Sequence, residues 1–222
     1  TGQPEITREN LKPMVAVTAR ISGRSLGQTI QDVQQALSRP GLVPHNIYYE
    51  LGGLYQQQQI AFRGLIAVFA AAIALVFALL LLLYQRFTTA LIIMIAPLMA
   101  TGAVFIGLWL TGIELNISAM MGMTMIVGIV TEVAIFYFSE LTTMSARSSL
   151  ARSLIQAGIN RARPIAMTTF AAILALLPLA LALGDGAAIQ QPLAVAIISG
   201  LAVQMPLVLL LLPVMHKALC RK

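Results

Sequence analysis

The chain has 222 residues, of which 59% are hydrophobic and 10% are charged, and its mean hydropathy is +0.87. Soluble domains carry about 25% charged residues, so this composition excludes a wholly water-soluble protein. The net charge of +6 is not arranged as a basic stripe with interleaved aromatic residues, which argues against nucleic-acid binding. The sequence instead indicates a polar N-terminal part followed by a membrane-embedded body.

Residues 1–58 are predicted to form a small, incomplete α/β unit. The β-rich residues at 14–21 predict a strand, a helix that Ser25 can cap follows it, and a second strand is predicted at 45–51. A strand–helix–strand unit of this length has too small a core to be stable alone. We therefore expect it to belong to a larger domain.

Five apolar segments follow within residues 59–222, and each is long enough to cross a membrane. About 20 apolar residues at a rise of 1.5 Å span a hydrocarbon core of roughly 30 Å. The spans are predicted at about 65–84, 88–110, 117–139, 164–183 and 192–213. Short connections predict antiparallel neighbours, so the expected fold class is a membrane α-helical bundle of five transmembrane helices preceded by a partial α/β periplasmic subdomain.

The positive charges between the spans predict the orientation of the chain. Alternate connections and the C-terminal tail hold Lys or Arg: Arg86, Arg147, Arg152, Arg161, Arg163, Lys217, Arg221 and Lys222. The other connections, 111–114 and 184–187, hold neither. By the positive-inside rule, the first set and the C terminus are cytoplasmic. The N-terminal unit is then outside, in the periplasm if the cell has two membranes.

Other features limit the function classes. The chain begins at Thr1 without an initiator methionine or a signal peptide, so we expect further sequence upstream that supplies membrane targeting. The single cysteine, Cys220, cannot form an internal disulfide. The sequence has no Gly-rich phosphate loop, catalytic dyad or Cys/His cluster. An ATP-driven pump, a membrane hydrolase and a metal or cofactor site are therefore not predicted.

Glu132 is the first candidate for chemistry because it lies well inside the third span. An ionised carboxylate at that depth costs at least a few kcal/mol. We expect it to face the bundle interior, to take up a proton or to pair with a cation, as a proton carrier or an ion-pair switch does. The alternative is a structural hydrogen bond between helices. Glu140, at the end of the same span, is expected to be interfacial.

Arg161 and Thr168 are the other candidates. Arg161 starts the fourth span, where it either anchors the helix at lipid headgroups or reaches inward to Glu132. The Thr168 hydroxyl either bonds back to its own helix or relays protons. Four methionines are interpreted as packing rather than as Cu(I) ligands: Met120, Met121, Met123 and Met125. Four glycines predict close helix contacts: Gly102, Gly107, Gly122 and Gly128.

A series of motifs follows one order along nearly the whole chain. They are Gly52-Gly53, Ala96-Pro97-Leu98, Leu108-Trp109-Leu110-Thr111-Gly112, Leu115-Asn116-Ile117-Ser118, Arg161-x-Arg163-Pro164-Ile165-x-Met167-Thr168, Leu177-Pro178-Leu179, Gln191-Pro192-Leu193-Ala194 and Leu212-Pro213. Each motif alone is weakly specific. In this order and at this spacing, the set resembles the C-terminal half of the resistance–nodulation–division (RND) efflux pumps.

The resemblance implies a proton-driven efflux transporter of the inner membrane, not an enzyme, that exports drugs or other amphiphilic solutes. It implies a trimer with twelve helices in each protomer, and this chain supplies helices eight to twelve and the end of a periplasmic porter domain. The implied partners are the N-terminal half of the same protein, a periplasmic adaptor, an outer-membrane channel and the lipid bilayer. In the family, an acidic pair on the fourth helix, outside this chain, takes up protons.

Three positions of the family's proton-relay network fall on this sequence: Glu132, where many drug exporters have a Lys, Arg161 and Thr168. A Glu at the first position is similar to some heavy-metal exporters. Those pumps also carry a Lys directly after the Arg-Pro, where this chain has Ile165. The alternatives are therefore a heavy-metal cation pump, or a protein-export or lipid-handling protein that shares the fold.

Overall fold

The computed structural model describes residues 8–9, 12–20, 26–39, 42–44, 47–145, 149–184 and 186–219. The chain divides into two compact units, residues 1–55 and residues 56–222. The first unit contains a short antiparallel hairpin, β1 (Arg8–Glu9) and β2 (Lys12–Pro13), and one helix, α1 (Leu26–Leu37). Helix α1 confirms the helix predicted in this part of the sequence.

The two strands predicted for the N-terminal unit are wrong over their described parts, because residues 14–20 and 47–51 form no strand. The remainder of each prediction, residues 21 and 45–46, lies outside the described residues. β-rich residues form a strand only when a neighbouring strand takes up their main-chain hydrogen bonds. The described part of the unit offers no such neighbour, and Val15 and Val17 are almost fully exposed.

In the described part of the chain, five helical stretches are long and apolar enough to cross a membrane, as the sequence predicted. They are α2 (Leu54–Tyr84), α3 (Phe87–Thr111), α4 (Ile117–Ser145), α5 (Leu150–Ala180) and α6 (Ala187–Pro206), which a π-helix (Leu207–Leu211) and α7 (Leu212–Leu219) continue. A π-helix is wider than an α-helix. The last stretch is therefore locally broadened between Pro206 and Pro213.

Two boundaries differ from the predicted spans. Helix α2 begins at Leu54 rather than near residue 65, and α5 begins at Leu150 rather than at Pro164. Hydropathy marks only the stretch that matches the hydrocarbon core, whereas a helix can extend beyond it with polar residues. Pro164 lies inside α5, where a proline removes one main-chain hydrogen bond without having to end the helix. Arg152, Arg161 and Arg163 are consequently helical and do not lie in a loop.

Helix α6 is central to the membrane unit, since it packs against α3, α4 and α5. Small residues allow this close approach. A Cβ atom on Gly122 of α4 would lie 2.8 Å from the Ala196 Cβ atom of α6. Gly107 likewise abuts Ser199, so the predicted close contacts are confirmed for these two glycines. Gly102 and Gly128 have no atom within 4 Å of such a Cβ, so the same prediction is wrong for them within this unit.

An aromatic cluster joins α2, α4 and α7. The Phe138 ring is buried and lies edge-on to the rings of Tyr84, Tyr137 and His216, at centroid distances of 6.1, 5.6 and 5.3 Å. The Tyr137 hydroxyl donates to the main-chain oxygen of Leu154 at 3.0 Å. This bond fixes α4 to the first turns of α5.

Tyr137→Phe is expected to lower the free energy of unfolding by about 1 kcal/mol, the net value of a typical buried hydrogen bond. Tyr84→Phe serves as the matched control. The Tyr84 hydroxyl is only part-buried and donates to the Ile135 oxygen over a longer distance of 3.3 Å. Thermal unfolding of the full-length protein in detergent measures both changes. A loss for Tyr84→Phe that equals or exceeds that for Tyr137→Phe would contradict the expectation.

Candidate proton-relay site

Glu132 lies near the middle of the third membrane helix, which runs from Ile117 to Met144. Its distance from the nearer end of this span is roughly 18 Å at 1.5 Å per residue. The side chain is exposed on the surface of the unit, and its carboxylate makes no hydrogen bond or ion pair with any described residue. Within these five helices Glu132 therefore does not face inward. Val130, Thr131 and Ala134 occupy the inward positions.

Glu132 belongs to an exposed stripe of α4 formed by Met121, Met125, Gly128, Glu132 and Phe136. These residues recur every three or four positions and therefore share one face of the helix. We call this stripe the Glu132 face. Its other members are uncharged, and open space surrounds Gly128, one turn from the carboxylate. The face therefore presents a carboxyl group beside a notch into which a further helix can pack closely.

Arg161 of α5 pairs with Glu140 rather than with Glu132. The guanidinium Nη2 lies 2.9 Å from Glu140 Oε2, and the Asn160 amide donates to Glu140 Oε1 at 3.1 Å. The pairing of Arg161 with Glu132 that we considered from the sequence is therefore absent. Sequence reasoning assigned Glu140 to the interface and missed it as a partner. Its one signal was its position two helical turns after Glu132.

Phe136 separates the two carboxylates. Glu132, Phe136 and Glu140 are spaced four residues apart on α4, so each lies about 5–6 Å from the next along one face. The Arg161 guanidinium carbon is 5.8 Å from the Phe136 ring centroid, within the range of a cation–π contact. The positive charge is thus held above a ring with a carboxylate on either side.

Thr168 lies on α5 at nearly the depth of Glu132. Helices α4 and α5 are antiparallel, and the Glu140–Arg161 pair marks the level at which the two helices meet. Because Glu132 is eight residues from Glu140 and Thr168 is seven from Arg161, their levels differ by roughly 1.5 Å. Thr168 is exposed, and its hydroxyl is within bonding distance of the main-chain oxygens of Pro164 (3.1 Å) and Ile165 (3.0 Å). This is the main-chain bonding considered from the sequence, and it leaves the lone pairs of the hydroxyl oxygen able to accept a hydrogen bond.

A buried polar pair lies directly behind Thr168. Gln204 of α6 is 1% exposed, and its Nε2 donates to the hydroxyl of Thr169, which is also buried, at 3.4 Å. The Gln204 Oε1 atom has no donor within the described part of the chain. Sequence reasoning missed Gln204, although an amide inside an apolar helix was a signal that could have been followed. The pair links the α5 side of the site to the helix that carries the π segment.

Among the described residues, no three side chains of His, Cys, Asp or Glu gather around one point. Met120 and Met123 are buried, whereas Met121 and Met125 are exposed on the Glu132 face. The four methionines therefore do not converge on one position. Packing accounts for Met120 and Met123, in agreement with the interpretation of the sequence.

Relatives with different named substrates match the chain. The cobalt-zinc-cadmium resistance protein CzcA of Cupriavidus metallidurans is 30% identical over 223 residues, which cover 100% of this chain and 21% of CzcA. The multidrug resistance protein MdtC of Yersinia pseudotuberculosis is 32% identical over 171 residues, which cover 76% of this chain and 17% of MdtC. The chain thus spans about a fifth of the length of the curated relatives it matches.

The fold of the chain is also similar to that of a solved transporter structure. The crystal structure of a heavy metal efflux pump superimposes with a TM-score of 0.78 at 28% identity, covering 91% of this chain and 20% of that one. The profile of the AcrB/AcrD/AcrF family matches residues 1–219. This family match covers the N-terminal unit as well as all five membrane helices. The chain therefore belongs to the AcrB/AcrD/AcrF family of resistance–nodulation–division permeases.

Proposed function

We propose that the chain is the C-terminal membrane part of a proton-driven efflux transporter and forms helices eight to twelve of its protomer. The observation that carries the proposal is a carboxyl group at mid-membrane depth on an otherwise uncharged, open helix face. An ionisable group at this depth costs at least a few kcal/mol, and such groups in membrane helices usually have a function. A helix of the same protein that packs on the Glu132 face would bring the acidic pair of the family next to Glu132.

The proposed relay uses Glu132, Arg161 and Thr168. With Glu132 protonated, Arg161 stays on Glu140. When Glu132 loses its proton, its negative charge draws the guanidinium across the Phe136 ring, since an ion pair is far stronger inside a membrane than in water. The proton that Glu132 releases passes to the Thr168 hydroxyl oxygen, at nearly the same depth, while the hydroxyl gives its own proton to the next acceptor toward the cytoplasm. Each cycle therefore moves Arg161 between two positions, and helix α5 carries that change to the neighbouring helices.

The wider assembly is proposed on the family membership. The N-terminal unit is assigned to the end of a periplasmic porter domain, and the C terminus to the cytoplasm, on the charge distribution given above. The whole protein is proposed to form a homotrimer in the inner membrane. It would work with a periplasmic adaptor and an outer-membrane channel.

Two substrate classes are proposed, and one experiment separates them. Drugs or other amphiphilic solutes are the class implied by the motif series, and the named function of MdtC is of this kind. Divalent metal cations are the second class, favoured by the match to CzcA over the whole of this chain. Cells with the intact gene and cells with the gene deleted are compared for growth in cobalt, zinc, cadmium or nickel salts and in amphiphilic drugs.

The same strains test the proton coupling. Deletion is expected to raise susceptibility to one class, and a protonophore should abolish export from cells that carry the intact gene. Unchanged susceptibility to both classes would count against an efflux function. Export that survives collapse of the proton gradient would count against proton coupling.

Glu140→Gln is expected to slow proton-coupled transport, because Arg161 then loses one of the two carboxylates between which the proposed relay moves it. Transport by the full-length protein is measured in proteoliposomes. Glu140→Asp keeps the charge and should retain most of the activity. A lower yield of folded protein with an unchanged transport rate per molecule would mean that Glu140 has only a structural role.

A further inference from the structure

Gln204 is a buried amide near the middle of the last membrane span, which runs from Ala187 to Leu219. It lies roughly 22 Å from the nearer end of that span at 1.5 Å per residue. Its Nε2 atom donates to the Thr169 hydroxyl of α5, but its Oε1 atom has no donor within the described part of the chain. A half-paired amide inside a membrane costs stability. Stabilisation of the fold therefore does not account for a glutamine at this position.

Helix α5 buries few side chains, so its rotation about its own axis depends strongly on Thr169. All residues of this helix are described, and five of them are buried: Ser153, Leu154, Ala157, Ile165 and Thr169. From Met167 to Ala180, Thr169 is therefore the one buried side chain of α5. The apolar residues that pack beside it are only partly buried. Apolar contacts have no preferred direction, whereas a hydrogen bond requires one.

The direction of Thr168 follows from that of Thr169. Adjacent residues of an α-helix point about 100° apart. The bond from Gln204 directs Thr169 toward α6, so Thr168 points away from this contact, and it is exposed. A rotation of α5 by one residue position would turn Thr168 inward. Gln204 thus sets the direction of a hydroxyl group that it does not contact.

We propose that Gln204 is a positioning residue of the transport site: its hydrogen bond to Thr169 fixes the rotation of α5 and so directs the Thr168 hydroxyl. The inference rests on the proposed function, because Gln204 acts through a residue of the proposed relay. The direction of one hydrogen bond is what this role requires. It can therefore be met although the Gln204 Oε1 atom lacks a donor in the described part of the chain.

Gln204→Met tests the role of the amide. Methionine is unbranched and nearly as long as glutamine, but it cannot donate this bond. It also removes the half-paired amide, so the thermal unfolding midpoint of the full-length protein should not fall. Proton-coupled transport in proteoliposomes should fall by roughly 10- to 100-fold, because a small misplacement of a reacting group has an effect of this size. Gln190→Met makes the same change at an exposed site of α6 and should transport normally.

Variants of Thr169 test the other half of the bond. Thr169→Val keeps the shape without the hydroxyl, so it should slow transport as much as Gln204→Met, whereas Thr169→Ser should retain most of the activity. The double variant Thr169→Val with Gln204→Met should be no slower than either single variant, because both changes remove the same bond. Thr101→Val removes a buried hydroxyl that bonds to its own helix at the Pro97 oxygen, and it should transport normally.

Two results would overturn the proposal. One is a double variant in which the two losses multiply. The other is a lower unfolding midpoint for Gln204→Met with an unchanged transport rate per folded molecule. Glu132→Gln in the same proteoliposomes identifies which proposal fails. If Glu132→Gln abolishes coupled transport and Gln204→Met does not, only the role of Gln204 is refuted. If Glu132→Gln leaves coupled transport intact, the proposed relay fails, and the role of Gln204 fails with it.

Discussion

Glu132→Gln is expected to abolish proton-coupled export while the protein remains folded and membrane-inserted. Glutamine has nearly the same size and shape as glutamate but cannot carry a proton between two states. Proton transfer by a positioned group contributes about 10²- to 10⁴-fold to a rate, so transport should fall by at least roughly 100-fold. The side chain is exposed and makes no hydrogen bond or ion pair with a described residue. The loss should therefore leave stability unaffected.

Substrate-driven proton movement in proteoliposomes that contain the full-length protein measures this effect. Glu132→Asp keeps an ionisable group and should retain part of the activity. Glu114→Gln makes the same chemical change in the connection between α3 and α4, outside the spans, and should transport normally. If Glu132→Gln kept both transport and its dependence on the proton gradient, the carboxylate would have a structural role only.

Arg161→Ala tests whether transport requires the exchange of partners by Arg161 or only the carboxylate of Glu132. The proposed exchange between Glu140 and Glu132 requires the guanidinium, so this variant should also lose coupled transport. The contact over Phe136 and the pair with Glu140 are lost together. Transport that survives Arg161→Ala but not Glu132→Gln would refute the exchange of partners. It would leave Glu132 as an independent proton carrier.

The membrane fold was predictable because long apolar segments have few alternatives. A backbone in hydrocarbon must satisfy its own hydrogen bonds, which restricts such a segment to a helix. Helix ends were not predictable to the same degree, since α2 and α5 continue into polar sequence beyond the apolar stretch. The prediction of a strand at 14–21 was wrong because a strand, unlike a helix, cannot satisfy its main-chain hydrogen bonds by itself. A strand depends on a partner that its own residues do not specify.

The candidate site was predictable only in part. The depth of Glu132 follows from counting residues, but its direction does not, because α4 is apolar on nearly every side and lacks a clear inward face. The Arg161–Glu140 pair depends on how deeply α5 extends past Pro164, and hydropathy placed its start too late. The contact between Gln204 and Thr169 requires the relative rotation of two helices. The relative rotation of two helices is set by their packing and cannot be read from the residue pattern of either helix.

Gly122→Ala is expected to destabilise the full-length protein by about 1–3 kcal/mol, the usual cost of inserting an atom into a packed core. The added Cβ atom would lie 2.8 Å from the Ala196 Cβ atom and 3.0 Å from the Leu193 main-chain oxygen of α6. Neither neighbour can rotate away, so α4 and α6 must separate. That interface lies at the centre of the membrane unit, and its opening also disturbs the α6 contacts with α3 and α5.

Gly128→Ala is the matched control on the same helix. Open space surrounds Gly128 within this unit, and alanine is favoured over glycine in a helix by about 1 kcal/mol. Thermal unfolding in detergent should thus show a lower midpoint for Gly122→Ala and no fall for Gly128→Ala. Adding Ala196→Gly to Gly122→Ala removes the nearer clash and should restore part of the stability. A fall in the midpoint for Gly128→Ala as large as that for Gly122→Ala would contradict the expectation.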